Sequence, residues 1–202
     1  AEVDFSEDIM GYFALSKGFK PGGTNLTYGF STQEELDAAG RPDSVLVDPM
    51  VFQVFEAETV ESVELGLKST FADGKARANL AAFSYTYENL QFQATDPDPY
   101  RGGVANIPES EMSGLEIEFT GFVTDSLSID MNLAFLESEV TSDYEVLDNV
   151  DAYQYFFGQE DLRYGLRENV RGNQLAKTPE FTADILIKYE TNLPSGNTLT
   201  TT

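Results

Sequence analysis

The chain has 202 residues and a formal charge of −23, from 12 Lys and Arg against 35 Asp and Glu, with neither Cys nor His. That balance argues against nucleic acid and anionic lipid headgroups as partners, and the missing side chains exclude disulfides, thiolate chemistry, the usual general base and the usual zinc ligand. At 41% hydrophobic content and without a run of about 18 apolar residues, the sequence encodes no transmembrane helix, whereas strands apolar on one side only fit it.

Ala1 to Phe5 shows no basic segment followed by an apolar one, so no secretory signal is read there and the chain reads as starting inside a longer protein. A partial strand is expected over 1–5, a short polar turn at Ser6-Glu7-Asp8, and a strand over 9–17. From Gly18 to Glu58 the alternation gives way to Gly, Pro, Asp and Asn, the composition of a long connection. Strands over 59–71 and 75–95 follow, joined at Asp73-Gly74. With those two residues at the centre of a type I′ turn, Phe71 faces Ala76, Leu67 faces Leu80 and Leu65 faces Ala82. The opposite side then pairs Lys68 with Asn79, Thr70 with Arg77 and Glu64 with Phe83. One face is apolar and the other mostly polar.

A second long connection is expected over 96–111. It opens Asp96-Pro97-Asp98, but Tyr100 at the fifth position and the lack of a spaced Glu set it apart from a calcium loop. The clearest signal comes next, over 112–123 and 127–140, turned at Thr124-Asp125-Ser126. Leu115, Ile117, Phe119, Val123, Leu127, Ile129, Met131, Leu133 and Phe135 fall on one side, and Glu116, Glu118, Thr120, Ser128, Asp130 and Asn132 on the other. Glu116 and Glu118 read as solvated or partner-contacting carboxylates on that polar side, not as an acid/base pair. Arms of about a dozen residues are roughly twice the usual soluble strand and long enough to cross a bilayer when tilted. A third long connection spans 141–178, followed by a strand over 179–190, a turn from Asn192 to Asn197, and a partial strand over 198–202. On the 179–190 strand Leu186 breaks the pattern, lying on the polar side. Short and long connections thus alternate along the chain. The expected fold is all-β, an antiparallel up-and-down wall of a transmembrane β-barrel with short periplasmic turns and long extracellular loops.

Five segments in order resemble the TonB-dependent outer-membrane receptors of the siderophore-receptor type. Tyr12-Phe13-Ala14-Leu15-Ser16-Lys17-Gly18-Phe19-Lys20-Pro21-Gly22-Gly23-Thr24-Asn25 is the strongest match. The run from Glu58 to Ser69 resembles a second segment, with Val63 where Tyr is frequent. Ala82-Phe83-Ser84-Tyr85 through Leu90-Gln91, then Ser113-Gly114-Leu115-Glu116, then Gly172-Asn173-Gln174-Leu175 to Pro179 resemble three more. The resemblance implies that residues 1–202 are a partial receptor barrel domain, its plug and remaining strands absent, out of a plugged barrel of about 22 strands. It implies a bacterial outer-membrane location and active, TonB-dependent uptake of a scarce ligand, in the first place a ferric siderophore. Outer-membrane lipid, that ligand, and the TonB complex acting through the missing plug are the implied partners. No enzyme activity and no cofactor are implied.

Tyr and Arg combine apolar area with forked hydrogen bonding, so the third connection, with Tyr144, Tyr153, Tyr155, Phe156, Phe157, Arg163, Tyr164, Arg167 and Arg171, reads either as ligand anchors or as loop packing and an interfacial aromatic belt. Tyr100, Arg101, Tyr155, Arg163 and Arg167 are the candidate ligand-binding residues; no metal or catalytic residue is expected. Gly18, Gly22, Gly23 and Gly66 are expected to answer to close backbone packing. Two other readings stay open on the residues alone, a soluble all-β ligand- or glycan-binding module and a small independent outer-membrane barrel.

Overall fold

The computed structural model describes residues 1–25, 54–96, 101–147 and 167–202, and every regular element among them is a strand. In chain order these are β1 (Glu2–Ser6), β2 (Ile9–Lys20), β3 (Gly23–Thr24), β4 (Val54–Phe55), β5 (Glu58–Phe71), β6 (Ala76–Asp96), β7 (Arg101–Thr124), β8 (Leu127–Val140), β9 (Glu145–Leu147), β10 (Arg167–Asn169), β11 (Phe181–Asn192) and β12 (Thr198–Thr201). Eight of them form one antiparallel meander in the order β1-β2-β5-β6-β7-β8-β11-β12. β3 with β4 and β9 with β10 make two small stems on the long connections. Among the described residues the wall is open, with β1 and β12 as its outer strands.

The Asp73-Gly74 turn sets the register as the residues require. Asp73 at φ 55° and Gly74 at φ 82° occupy the left-handed region, and Lys75 N donates to Ala72 O at 3.1 Å. Phe71 then faces Ala76, Leu67 faces Leu80, and Lys68 faces Asn79, as read from the sequence. That register runs on across the sheet, so Leu65, Ala82, Leu115, Phe135 and Phe181 share one apolar row with Phe13.

Among the described residues nothing covers the apolar face. Leu65 is 62% exposed and Ile185 59%, and Phe13, Leu67, Leu80, Phe135 and Ile187 are exposed beside them. A sandwich would lay a second sheet there, and among the described residues none does.

The register also fixes how the strands slope. Ile9, the first residue of β2, is in line with Ser69, Ala78, Phe119, Met131 and Ile185, which on β11 lies seven residues before the strand ends at Asn192. Seven residues at about 3.4 Å each is about 24 Å of drop, and the five strand spacings crossed, at about 4.8 Å, give about 24 Å of width. The turn ends are level only if the strands tilt by about 45°, the tilt of an outer-membrane barrel.

The expectation of a long connection over 96–111 is corrected. β6 and β7 stay paired from Glu88–Glu109 up to Asp96–Arg101, as a hairpin that outreaches its neighbours. Period two failed as a signal there because both faces of this extension pack against protein. Ala105 and Ile107 are buried on one face, where Phe92 meets Tyr144 edge to face at 5.6 Å, and Asn106 on the other face bonds to the Glu56 backbone. β2 likewise runs three residues past its expected end, to Lys20. Of five buried apolar residues among those described, Ala105, Ile107 and Val140 belong to this rim and only Ala76 and Phe83 to the wall below.

Candidate functional site

Two surfaces are built for partners, the polar face of the wall and the rim formed by the roots of the long connections. On the polar face, β2 and β5 place Tyr12 directly opposite Gly66. Glu64, Gly66 and Lys68 lie two apart on β5, so all three address that ring. Tyr12 Oη donates to Glu64 Oε1 at 2.6 Å, Lys68 Nζ stands 5.3 Å from the ring centroid, and the ring lies where a Gly66 side chain would be. The same device recurs between β6 and β7, where Phe83 faces Gly114 and its ring tip would meet a Cβ there at 2.7 Å. Each glycine is thus a seat for a cross-strand aromatic ring, which restores the packing that a bare strand glycine lacks.

Phe83 starts an aromatic run up β6. It stacks on Tyr85 at 4.9 Å and 22°, and Tyr85 meets Tyr87 edge-on at 6.5 Å. Toward the short turns the face becomes hydrophilic, with a cavity of about 410 Å³ lined by Thr70, Arg77, Asn79, Glu118, Thr120 and Asn132. Asn79 Nδ2 donates to Glu118 Oε2 at 2.9 Å. Glu118 is therefore tied into a hydrogen-bonded polar floor, and Glu116 sits two residues on, across from Ala81. Leu186, the apolar exception on β11, faces this side opposite Asp130 and stays 46% exposed.

The rim is held by side chains that bond to backbone. Ser138 Oγ lies 2.7 Å from Thr178 Oγ1 and accepts from Leu175 N at 3.2 Å, while Val140 N donates to Asn173 O at 2.9 Å. Gly172 turns that segment at φ 84°. In the third connection Asn169 Nδ2 donates to Asp143 Oδ1 at 2.9 Å and Arg171 Nη1 lies 3.4 Å from Asp143 Oδ2. The Asn169 bond first, and the Arg171 charge second, hold the Asp143 carboxyl below the usual Asp range. Just below the rim, Lys17 pairs with Glu61 at 2.7 Å on the apolar side.

Of the five candidate ligand residues, Arg101 opens β7 at the tip of the long hairpin and Arg167 opens β10, both at the long-connection end. Tyr100, Tyr155 and Arg163 lie outside the described residues. Sequence reading missed the Tyr12–Gly66 and Phe83–Gly114 pairs. Their one signal was that both glycines and both rings fall inside the segments that carry the family resemblance.

Residues 1–200 match the family described as TonB dependent receptor-like, beta-barrel. PiuA of Acinetobacter baumannii, a probable TonB-dependent siderophore receptor, is 32% identical over 89 residues, which is 44% of this chain and 11% of that protein. The ferric yersiniabactin uptake receptor FyuA from Yersinia pestis superposes with a TM-score of 0.63 at 16% identity, over 98% of this chain and 23% of that one. BauA, the ferric preacinetobactin receptor from Acinetobacter baumannii, superposes with a TM-score of 0.54 at 15% identity, over 95% of this chain and 22% of that one. The chain spans about a tenth of the curated relative's length and less than a quarter of either solved receptor.

Proposed function

Because the chain belongs to the TonB-dependent receptor β-barrel family, we propose that residues 1–202 form part of the wall of a larger outer-membrane barrel that takes up a ferric siderophore. The uncovered apolar face carries this reading. Lipid is the partner that covers such a face without a second protein layer, and a 45° slope is what strands need to cross it. The opposite face then lines the lumen, with the Tyr12 and Phe83 seats stiffening the wall and the Asn79–Glu118 floor meeting water or a plug domain. The TonB complex acts through that plug, and this segment contributes wall and loops. Tyr100, Arg101, Tyr155, Arg163 and Arg167 serve as ligand anchors at the extracellular mouth. The rigid rings supply contact area, and the guanidinium forks meet the anionic oxygens of a ferric chelate. Transport of this kind needs no bond of the cargo to be made or broken by the wall.

The test is radioiron uptake by whole cells, using ferric complexes of catecholate, hydroxamate and phenolate chelators. Deleting the receptor gene should abolish uptake of at least one class, and collapsing the proton-motive force should abolish the same uptake in the parent strain. A deletion strain that takes up every complex at the parental rate refutes the proposal.

A further inference from the structure

We infer that Asn25, Gln91 and Asn106 are positioning residues that splice the two roots of the first long connection, at 21–25 and 54–56, onto the β6–β7 hairpin, so that roots and hairpin form one body. β8 pairs with β7 only as far as Ser110–Val140, so among the described residues no strand pairs with the upper edge of β7 on that side. Such an edge leaves backbone donors and acceptors in need of partners. Asn25 supplies them at Val104. Its Nδ2 donates to Val104 O at 2.7 Å and its Oδ1 accepts from Val104 N at 2.9 Å, the two-pronged pattern that a neighbouring strand would make.

Asn106 repeats the device two residues along. Its Oδ1 accepts from Glu56 N at 2.8 Å, and its Nδ2 donates to Asn89 O at 2.7 Å and to Glu56 O at 3.2 Å. Gln91, opposite Asn106, reaches back to the other side of the connection, its Nε2 donating to Pro21 O and to Glu56 O, each at 3.0 Å. A carboxamide is the side chain suited to this work, because it alone offers a donor and an acceptor in the spacing of a peptide group. Two glycines let the pieces close up. A Cβ on Gly22 would stand 2.5 Å from Phe55 O, and one on Gly103 would stand 2.8 Å from Asn25 Cγ.

Almost every partner of the three carboxamides is backbone, so the splice makes no demand on the other side chains of the first connection. The tip sequences are left free to vary while their roots keep one geometry. Phe92 against Tyr144 brings the third connection into the same assembly. That the joined roots overhang a lumen rests on the receptor reading; the splice itself does not.

Residues 1–202 contain no Cys, so labelling is clean once any Cys elsewhere in the receptor is replaced by Ser. In the full-length receptor, spin labels at Val54→Cys and Glu111→Cys report the distance between the first connection and the outer side of β7, and hydrogen exchange reports the Val104 amide. Asn25→Ala should broaden the distance distribution and speed Val104 exchange several-fold at unchanged folded yield. Gly103→Ala should do the same with Asn25 intact, by pushing its carboxamide aside, and the double variant should be no worse than either single one. Asn25→Asp, equal in size but lacking the donor, provides the reading if Asn25→Ala folds poorly. A narrow distribution in both Gly103→Ala and Asn25→Asp, with unchanged Val104 exchange in Gly103→Ala, overturns the splice. Loss of every uptake activity with the splice intact counts only against the transport reading.

Discussion

Gly66→Ala should destabilise the barrel, and the sign of its effect should depend on Tyr12. A Cβ at Gly66 would lie 2.1 Å from Tyr12 Cε1 and 2.2 Å from Cζ, so the ring has to leave. It takes with it the 2.6 Å bond to Glu64 and the contact with Lys68. A hydrogen bond to a charged group contributes about 1.5–3 kcal/mol, reduced here to about 1–2 because the pair is only partly buried. The cation–π contact adds about 0.5–1 kcal/mol. Against this, Ala fits a strand better than Gly by about 0.5–1 kcal/mol. The net loss is about 1–2 kcal/mol. In a Tyr12→Ala background no ring is displaced, so Gly66→Ala should instead stabilise by about 0.5–1 kcal/mol. Urea unfolding in phospholipid vesicles, followed by the heat-dependent gel migration of folded barrels, measures both. An effect of the same sign and size in the two backgrounds would show that the glycine is not a seat for the ring.

On the apolar face, Ile117→Arg or Met131→Arg should lower folded yield by an amount corresponding to about 2–4 kcal/mol near the bilayer midplane, while Glu118→Arg, on the polar side, should cost far less; equal tolerance at the three sites would contradict the assignment of faces. Single cysteines near Gly40, Asp98 and Asn149 should react with an impermeant maleimide on intact cells, and those at Gly74, Asp125 and Gly196 only after the cells are opened. Replacing Tyr155, Arg163 and Arg167 together by Ala should weaken binding of the transported ferric complex at constant receptor level; unchanged binding would leave these residues a packing or interface role. The Asp143 carboxyl is depressed in the folded stem, so its stabilisation is full above the ordinary Asp value of 3.8, declines as pH falls below it, and is gone below the folded value. Limited proteolysis of the β9–β10 stem should therefore accelerate only on acidification below that range, and Asp143→Asn should remove the pH step.

The wall was legible because one apolar and one polar face impose a two-residue period, and a single turn, Asp73-Gly74, fixes the register from which the rows follow. β8, expected over 127–140, is found at Leu127–Val140, and β5 and β6 fall within a residue of their expected ends. The rim was not legible for the converse reason. Along 101–111 Ala105 and Ile107 are buried on one face and Asn106 bonds to backbone on the other, so both faces meet protein and no apolar–polar alternation results. The aromatic seats were hidden differently. Tyr12 and Gly66 are far apart in sequence, and only the β2–β5 register makes them opposite. The glycine reading holds at Gly22, Gly23 and Gly66, which each leave too little room for a side chain, while at Gly18 a Cβ would meet only Val60 Cγ1 at 3.2 Å; the tenants are visible only in three dimensions.

The boundary between wall and rim is written in carboxylates. Two rows above Leu65 and Leu115 on the apolar side come Glu61 and Glu111, with Glu139 directly opposite Glu111 and, one row higher on the hairpin, Glu88 directly opposite Glu109. Like charges facing each other across strands are destabilising even in water and prohibitive in hydrocarbon. These pairs require the aqueous side to begin at or below them, which leaves β8 nine residues, Leu127 to Phe135, for the apolar crossing. At about 3.4 Å per residue and a tilt near 45° that is about 20 Å of membrane, close to the apolar band of a bacterial outer-membrane barrel. Below the line little protein is buried, and on the proposed reading stability comes from the strand ladder and from lipid. Above it the burial moves into protein, at Ala105, Ile107 and Val140, because water offers nothing to cover an apolar side chain. One continuous pair of strands, β6 and β7, therefore passes through two solvents, and its sequence changes code where it crosses.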